Sequence, residues 1–171
     1  PFLTGVTAGT PRNDFTGYVG MRITIGSTPL IVTQLGRYVL TGNHDAHTVK
    51  IFQAANGAEV ASASVPTIGT PVGLFAYAPI GAVTLQANTS YYVVSQETSG
   101  GDSWYNSDAQ VTSTSMGTVN SGVYYNSAWI TTGLPGRTFV PVNFKYSLTG
   151  SGDQQSPTAS IAAPAAGAQL S

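Results

Sequence analysis

Cysteine is absent from this chain and charge is scarce: six Lys plus Arg against seven Asp plus Glu among 171 residues. Without cysteine there is no disulfide framework and no thiolate nucleophile, and a structural zinc would have only His44 and His47 as nitrogen ligands. The basic residues stand at 12, 22, 37, 50, 137 and 145, so they build no stripe that could neutralise a phosphate backbone or an anionic bilayer surface. No apolar run approaches the roughly 20 residues that a bilayer-spanning helix needs. Nucleic acid and membrane are therefore not expected partners. Helical periodicity is nearly absent as well, and no phosphate loop, dinucleotide fingerprint or GxSxG nucleophile elbow occurs, so no cofactor is expected.

What remains is a chain that is 42% hydrophobic but only 8% charged, where about a quarter would be usual. Its surface must be made of Ser, Thr, Asn, Gln and Gly. Such a neutral, hydroxyl-rich surface suits an extracellular protein that meets uncharged, hydroxylated ligands, and it equally suits an inert spacer.

Residues of high strand propensity cluster in short runs between Gly, Pro, Asn and Asp. The runs are 20–25, 30–40, 47–53, 59–65, 73–77, 82–86, 91–96, 122–125 and 139–148. Met21, Ile23 and Ile25 share one face against Arg22 and Thr24, and Phe144, Tyr146 and Leu148 oppose Asn143, Lys145 and Ser147. Gly42, the Asn56-Gly57 pair and Asn88 put residues that tolerate a left-handed backbone between apolar runs. The expectation is an all-β fold, an antiparallel β-sandwich of jelly-roll type with about eight to ten strands. It should occupy residues 1–149 as one domain. A polar, Gly-rich linker is expected at 150–157, and residues 158–171 look like the start of a following Ig-like domain, disordered or loosely docked.

The segment YYVVSQETSGGDSWYNSD, from Tyr91 to Asp108, runs from a buried-looking strand into a Gly-Gly loop with Asp102, Trp104, Tyr105 and Asn106. Sugar rings stack their C–H faces on Trp or Tyr, and their hydroxyls bond to Asp, Glu, Asn and Arg. Trp104 has a second reading as a cap that closes one end of the sandwich. In VYYNSAWITTG, alternation sends one of Tyr124 and Tyr125 inward, and Trp129 stands near the next loop as the better exposed aromatic. Glu97 and Asp102 are a pair of carboxylates of the kind glycoside hydrolysis uses, but the flexible Gly-Gly turn fixes no separation between them. His44 and His47 flank Asp45, and the simpler reading has His47 starting a strand while Asn43 and Asp45 shape the turn. Asn13 with Asp14, and Asp102 with Asp108, could offer oxygens to a structural calcium, although no spacing matches a calcium loop.

Together FTGYVGMRITIG, VTQLGRY, HTVKIF, VTLQANTSYYVVSQE and GGDSWYN resemble a bacterial β-sandwich family of unknown function. That family is appended to secreted carbohydrate-active enzymes and Ig-repeat proteins, and the resemblance spans nearly all of residues 1–148. It implies a jelly-roll-like fold similar to carbohydrate-binding modules. It also implies a non-catalytic, secreted accessory role, with polysaccharide and neighbouring domains of the same chain as partners and a monomeric state. The residues it suggests for binding are Glu97, Asp102, Trp104 and Tyr105, with Arg37 and Trp129 beside them. The face on which Arg37 lies is expected to depend on a bulge at Gly36. The alternative is a structural spacer or adhesin-type segment with no ligand of its own.

Overall fold

Runs of β-branched and aromatic residues set the strands. In the computed structural model, which describes residues 1–139 and 142–148, no helix occurs among the described residues. The strands follow in the order β1 (Leu3–Thr7), β2 (Pro11–Arg12), β3 (Gly17–Ile25), β4 (Leu30–Tyr38), β5 (Ala46–Gln53), β6 (Glu59–Pro66) and β7 (Phe75–Leu85). Then come β8 (Ser90–Glu97), β9 (Trp104–Tyr105), β10 (Gln110–Ser113), β11 (Gly117–Tyr125), β12 (Trp129–Thr132) and β13 (Val142–Leu148).

Two layers face each other. One is a six-stranded antiparallel sheet in the order β12-β11-β3-β8-β5-β6, and the other is the sheet β13-β4-β7. The chain changes layer at β3 to β4, β4 to β5, β6 to β7, β7 to β8 and β12 to β13, so the two layers form an antiparallel β-sandwich. The second layer is widened at its edge by the N-terminus. The amide of Phe2 donates to the carbonyl of Phe144, the Asn143 side chain bonds both the N–H and the carbonyl of Leu3, and β1 pairs with β10. The Phe2 and Phe144 rings stack at 4.8 Å.

The period of two fills the space between the layers. Met21, Ile23 and Ile25 point inward with Val49, Ile51, Tyr91 and Val93, and meet Leu30, Val32, Leu35, Leu85 and Phe144 of the other sheet. The expected turn residues hold left-handed backbone: Gly42 has φ 87°, Gly57 70° and Asn88 54°.

Several details differ from the sequence reading. The runs 73–77 and 82–86 form one strand, β7, rather than two. Of the short strands, β2 and β9 form a two-residue ribbon, and β12 continues β11 as a hairpin. The bulge lies at Thr33, not Gly36. Gln34 pairs with Lys145 and Val32 with the next residue, Tyr146, so Thr33 is the extra residue. The linker expected at 150–157 and the Ig-like segment expected at 158–171 lie outside the described residues.

Candidate functional site

Because Thr33 resets the alternation of β4, Leu35 and Arg37 turn inward, and the Arg37 side chain is 0% exposed. It meets Glu97 on the inner face of β8. Nε donates to Oε1 at 3.0 Å and Nη2 to Oε2 at 2.9 Å, a bidentate pair, while the remaining guanidinium bonds go to the carbonyls of Tyr38 and Ser103. His47, on the inner face of the neighbouring strand β5, sets Nδ1 3.3 Å from Glu97 and Nε2 3.0 Å from Asp102. Asp102 also accepts the backbone N–H groups of His44 and Asp45. Asn43 closes the arrangement by bonding both the N–H and the carbonyl of Ser103.

This chain of charges staples the 41–45 turn to the Gly-Gly loop at one end of the sandwich. Burial opposes the charge on His47, but the hydrogen bonds and field of Glu97 and Asp102 outweigh it and hold its pKa above the usual value. Burial likewise works against ionised Glu97, yet the His47 and Arg37 hydrogen bonds keep its pKa below the ordinary range. Asp102 is lowered in the same way, against its own burial, by His47 and the two backbone donors. A glycosidase general acid needs a raised pKa and an open face. Glu97 and Asp102 have neither.

The groups considered for a cation are committed to protein donors. Asp14 holds Arg12, Asp108 caps the N–H and hydroxyl of Thr10, and Asp102 holds His47. His44, Asp45 and Asp102 can bring one ligand atom each within 4.8 Å of one another, but both Asp102 oxygens already accept from the backbone.

Trp104 is 1% exposed and packs edge-on against Phe139, so it caps the interior as the second reading of it supposed. The Arg12 guanidinium lies 5.2 Å from its ring centre. Tyr105 is half-buried against Tyr38, whose ring also touches Phe75 on the outside of the smaller sheet. Of the six residues singled out in the sequence, Arg37, Glu97, Asp102 and Trp104 are thus interior and offer no face to a large ligand.

Trp129 lies elsewhere. It starts β12 at the edge of the six-stranded sheet and folds across its outer face, where the Tyr92 ring stacks on it at 4.6 Å. Tyr125 meets it edge-on at 5.0 Å, and Phe52 at 5.3 Å. Tyr18 contacts both Phe52 and Trp129. Alternation explains the gathering, since Tyr18, Phe52, Tyr92 and Tyr125 all hold outward positions on β3, β5, β8 and β11. Tyr124 faces the opposite way, toward Phe15 and Phe139, as one of that pair must.

The aromatic rings and the 54–57 turn enclose an open cleft of about 570 Å³ lined by Tyr18, Phe52, Ala54, Ala55, Asn56, Gly57, Tyr125 and Trp129. The Lys50 ammonium sits 5.6 Å from the Tyr18 ring centre and is bonded to Glu59. Sequence reasoning found Trp129 and the outward one of the two tyrosines, but missed Tyr18, Phe52 and Tyr92. Their signal is their parity on three strands, and it becomes readable only once those strands are known to be neighbours. Comparison of the chain with protein-family models, with curated proteins and with solved structures finds no match in any of the three.

Proposed function

We propose that this chain is a non-catalytic carbohydrate-binding module of a secreted, multidomain bacterial polysaccharide-degrading protein, and that it binds glycan on the outer face of its six-stranded sheet. The observation that carries this reading is the cleft around Trp129. Aromatic rings from five strands meet on a face that is not part of the main core, where a sheet of this kind would ordinarily be polar. Aromatic walls supply the apolar contact a pyranose ring needs, and the side chain of Asn56 at the rim supplies donors and acceptors for hydroxyls. The low charge of the chain keeps the surrounding surface neutral.

A spacer is the second reading, favoured by the burial of Arg37, Glu97, Asp102 and Trp104, which makes that end of the sandwich a structural joint. A panel of plant, algal and bacterial polysaccharides in affinity electrophoresis, run with wild type and Trp129→Ala, separates the two. Retardation of wild type that is lost in a folded Trp129→Ala protein supports binding at the cleft. No retardation of the folded wild type across the panel leaves the spacer.

A further inference from the structure

The polar end of the same outer face bears on the charge of the ligand. Most of the few cations in the chain are occupied by neighbours: Arg12 by Asp14, Arg37 by Glu97, Lys50 by Glu59, and Lys145 by the face of Tyr77 at 4.5 Å. Arg22 is different. It makes no hydrogen bond or ion pair with any of the described residues, and its Nε is shielded from water without an acceptor. A shielded donor left without a partner is rare in a folded protein and calls for an explanation.

Arg22 stands on an outward position of β3, directly across from Tyr92 of β8. With Gln53, Asn88, Ser90 and Tyr92 it lines a cleft of about 470 Å³. That cleft and the aromatic one share Ala54 and Ala55 as walls, and Tyr92 of the first stacks on Trp129 of the second. The two are therefore halves of one groove along the 54–57 turn, apolar at Trp129 and cationic at Arg22. Among the described residues, no carboxylate lines either half.

We propose that this groove takes a polysaccharide bearing carboxylates, a uronic acid polymer, with one ring against Trp129 and a carboxylate on the Arg22 guanidinium. The planar fork of arginine matches a carboxylate in a bidentate manner that a neutral sugar hydroxyl cannot reproduce. The assignment rests on the reading of the chain as a glycan-binding module and specifies the substrate class of that site.

Calorimetric titration with oligogalacturonate and with its carboxyl-reduced, neutral counterpart tests it on wild type, Arg22→Gln and Trp129→Ala, at low and high salt. Wild type should bind the uronate form at least tenfold more tightly than the reduced form, with affinity falling as salt rises. Arg22→Gln should lose that preference, while Trp129→Ala should weaken both forms. Equal affinity for the two forms in wild type overturns the carboxylate assignment even if Arg22→Gln does not fold. Uronate binding that survives unchanged in a folded Arg22→Gln protein overturns it too, and both outcomes leave glycan binding standing. A folded wild type that retains no glycan of the wider panel removes the module reading and the assignment together.

Discussion

Arg37 and Glu97 carry opposite charges that are both out of water, and each satisfies the other through two hydrogen bonds. Taking such charges from water is costly, so the pair specifies geometry more than it adds stability, and removing one member strands the other. Arg37→Ala should lower the unfolding free energy by about 3–5 kcal/mol, whereas the double replacement Arg37→Met with Glu97→Leu should restore most of the loss. Urea denaturation measures both, and a single replacement costing under about 1 kcal/mol would contradict the account. His47 adds a pH dependence. Its folded pKa is raised, so its contribution is fully present below the unfolded value of about 6.5 and is lost as pH rises through the folded pKa. Glu97 and Asp102 are lowered, so their contributions are present above about 4.3 and 3.9 and are lost as pH falls through their folded values. Thermal melts between pH 4 and 9 should peak at about pH 5 to 6.5, and His47→Gln should reduce the decline on the alkaline side, to which His44, also raised by the Gly42 carbonyl and by Asp45 and Asp102, contributes the rest. An identical alkaline slope in wild type and variant would show that His47 is not its source.

Thr33 shows how one residue in an element can decide where a charge resides. Continued alternation from Leu30 and Val32 would put Gln34 and Gly36 inside, but the extra residue puts Leu35 and Arg37 there instead. Deleting Thr33 should therefore leave Leu35 and Arg37 facing inward, because Val32 and Gln34 already pair with the consecutive residues Tyr146 and Lys145, and the buried Arg37–Glu97 pair should survive. A Thr33 deletion that costs the roughly 3–5 kcal/mol of breaking that pair, read by urea denaturation, would refute this role. The strands themselves were largely legible, because alternation in β3 and left-handed residues at Gly42, Gly57 and Asn88 are local signals. The bulge was legible only as a need, since nothing in VTQLGRY distinguishes Thr33 from Gly36 as its place. The short strands β2 and β9 were not legible at all, because two residues carry no period and their pairing joins positions far apart in the chain.

Across the whole molecule, the two faces of the six-stranded sheet divide the work. The inner face is filled by the core and, at one end, by the ion network, while the outer face carries the aromatic cleft. The segment from Glu97 through GGDSWYN looked like a site because it joins acids to aromatics, yet those same groups have interior partners supplied by distant parts of the chain: His47 for Asp102, Arg37 for Glu97 and Phe139 for Trp104. Trp129 was legible as the exposed candidate. Its companions were not, because the sheet order that seats β3, β8 and β5 side by side is not written in any local stretch. The chain has two tryptophans, one buried under Arg12 and one in the cleft, so each indole N–H reports on one place. The direct test is therefore a titration of nitrogen-labelled protein with the best glycan of the panel, following the two indole signals by NMR. The account predicts that the Trp129 signal shifts and saturates while that of Trp104 stays in place, and movement of Trp104 alone, or of neither signal, would contradict it.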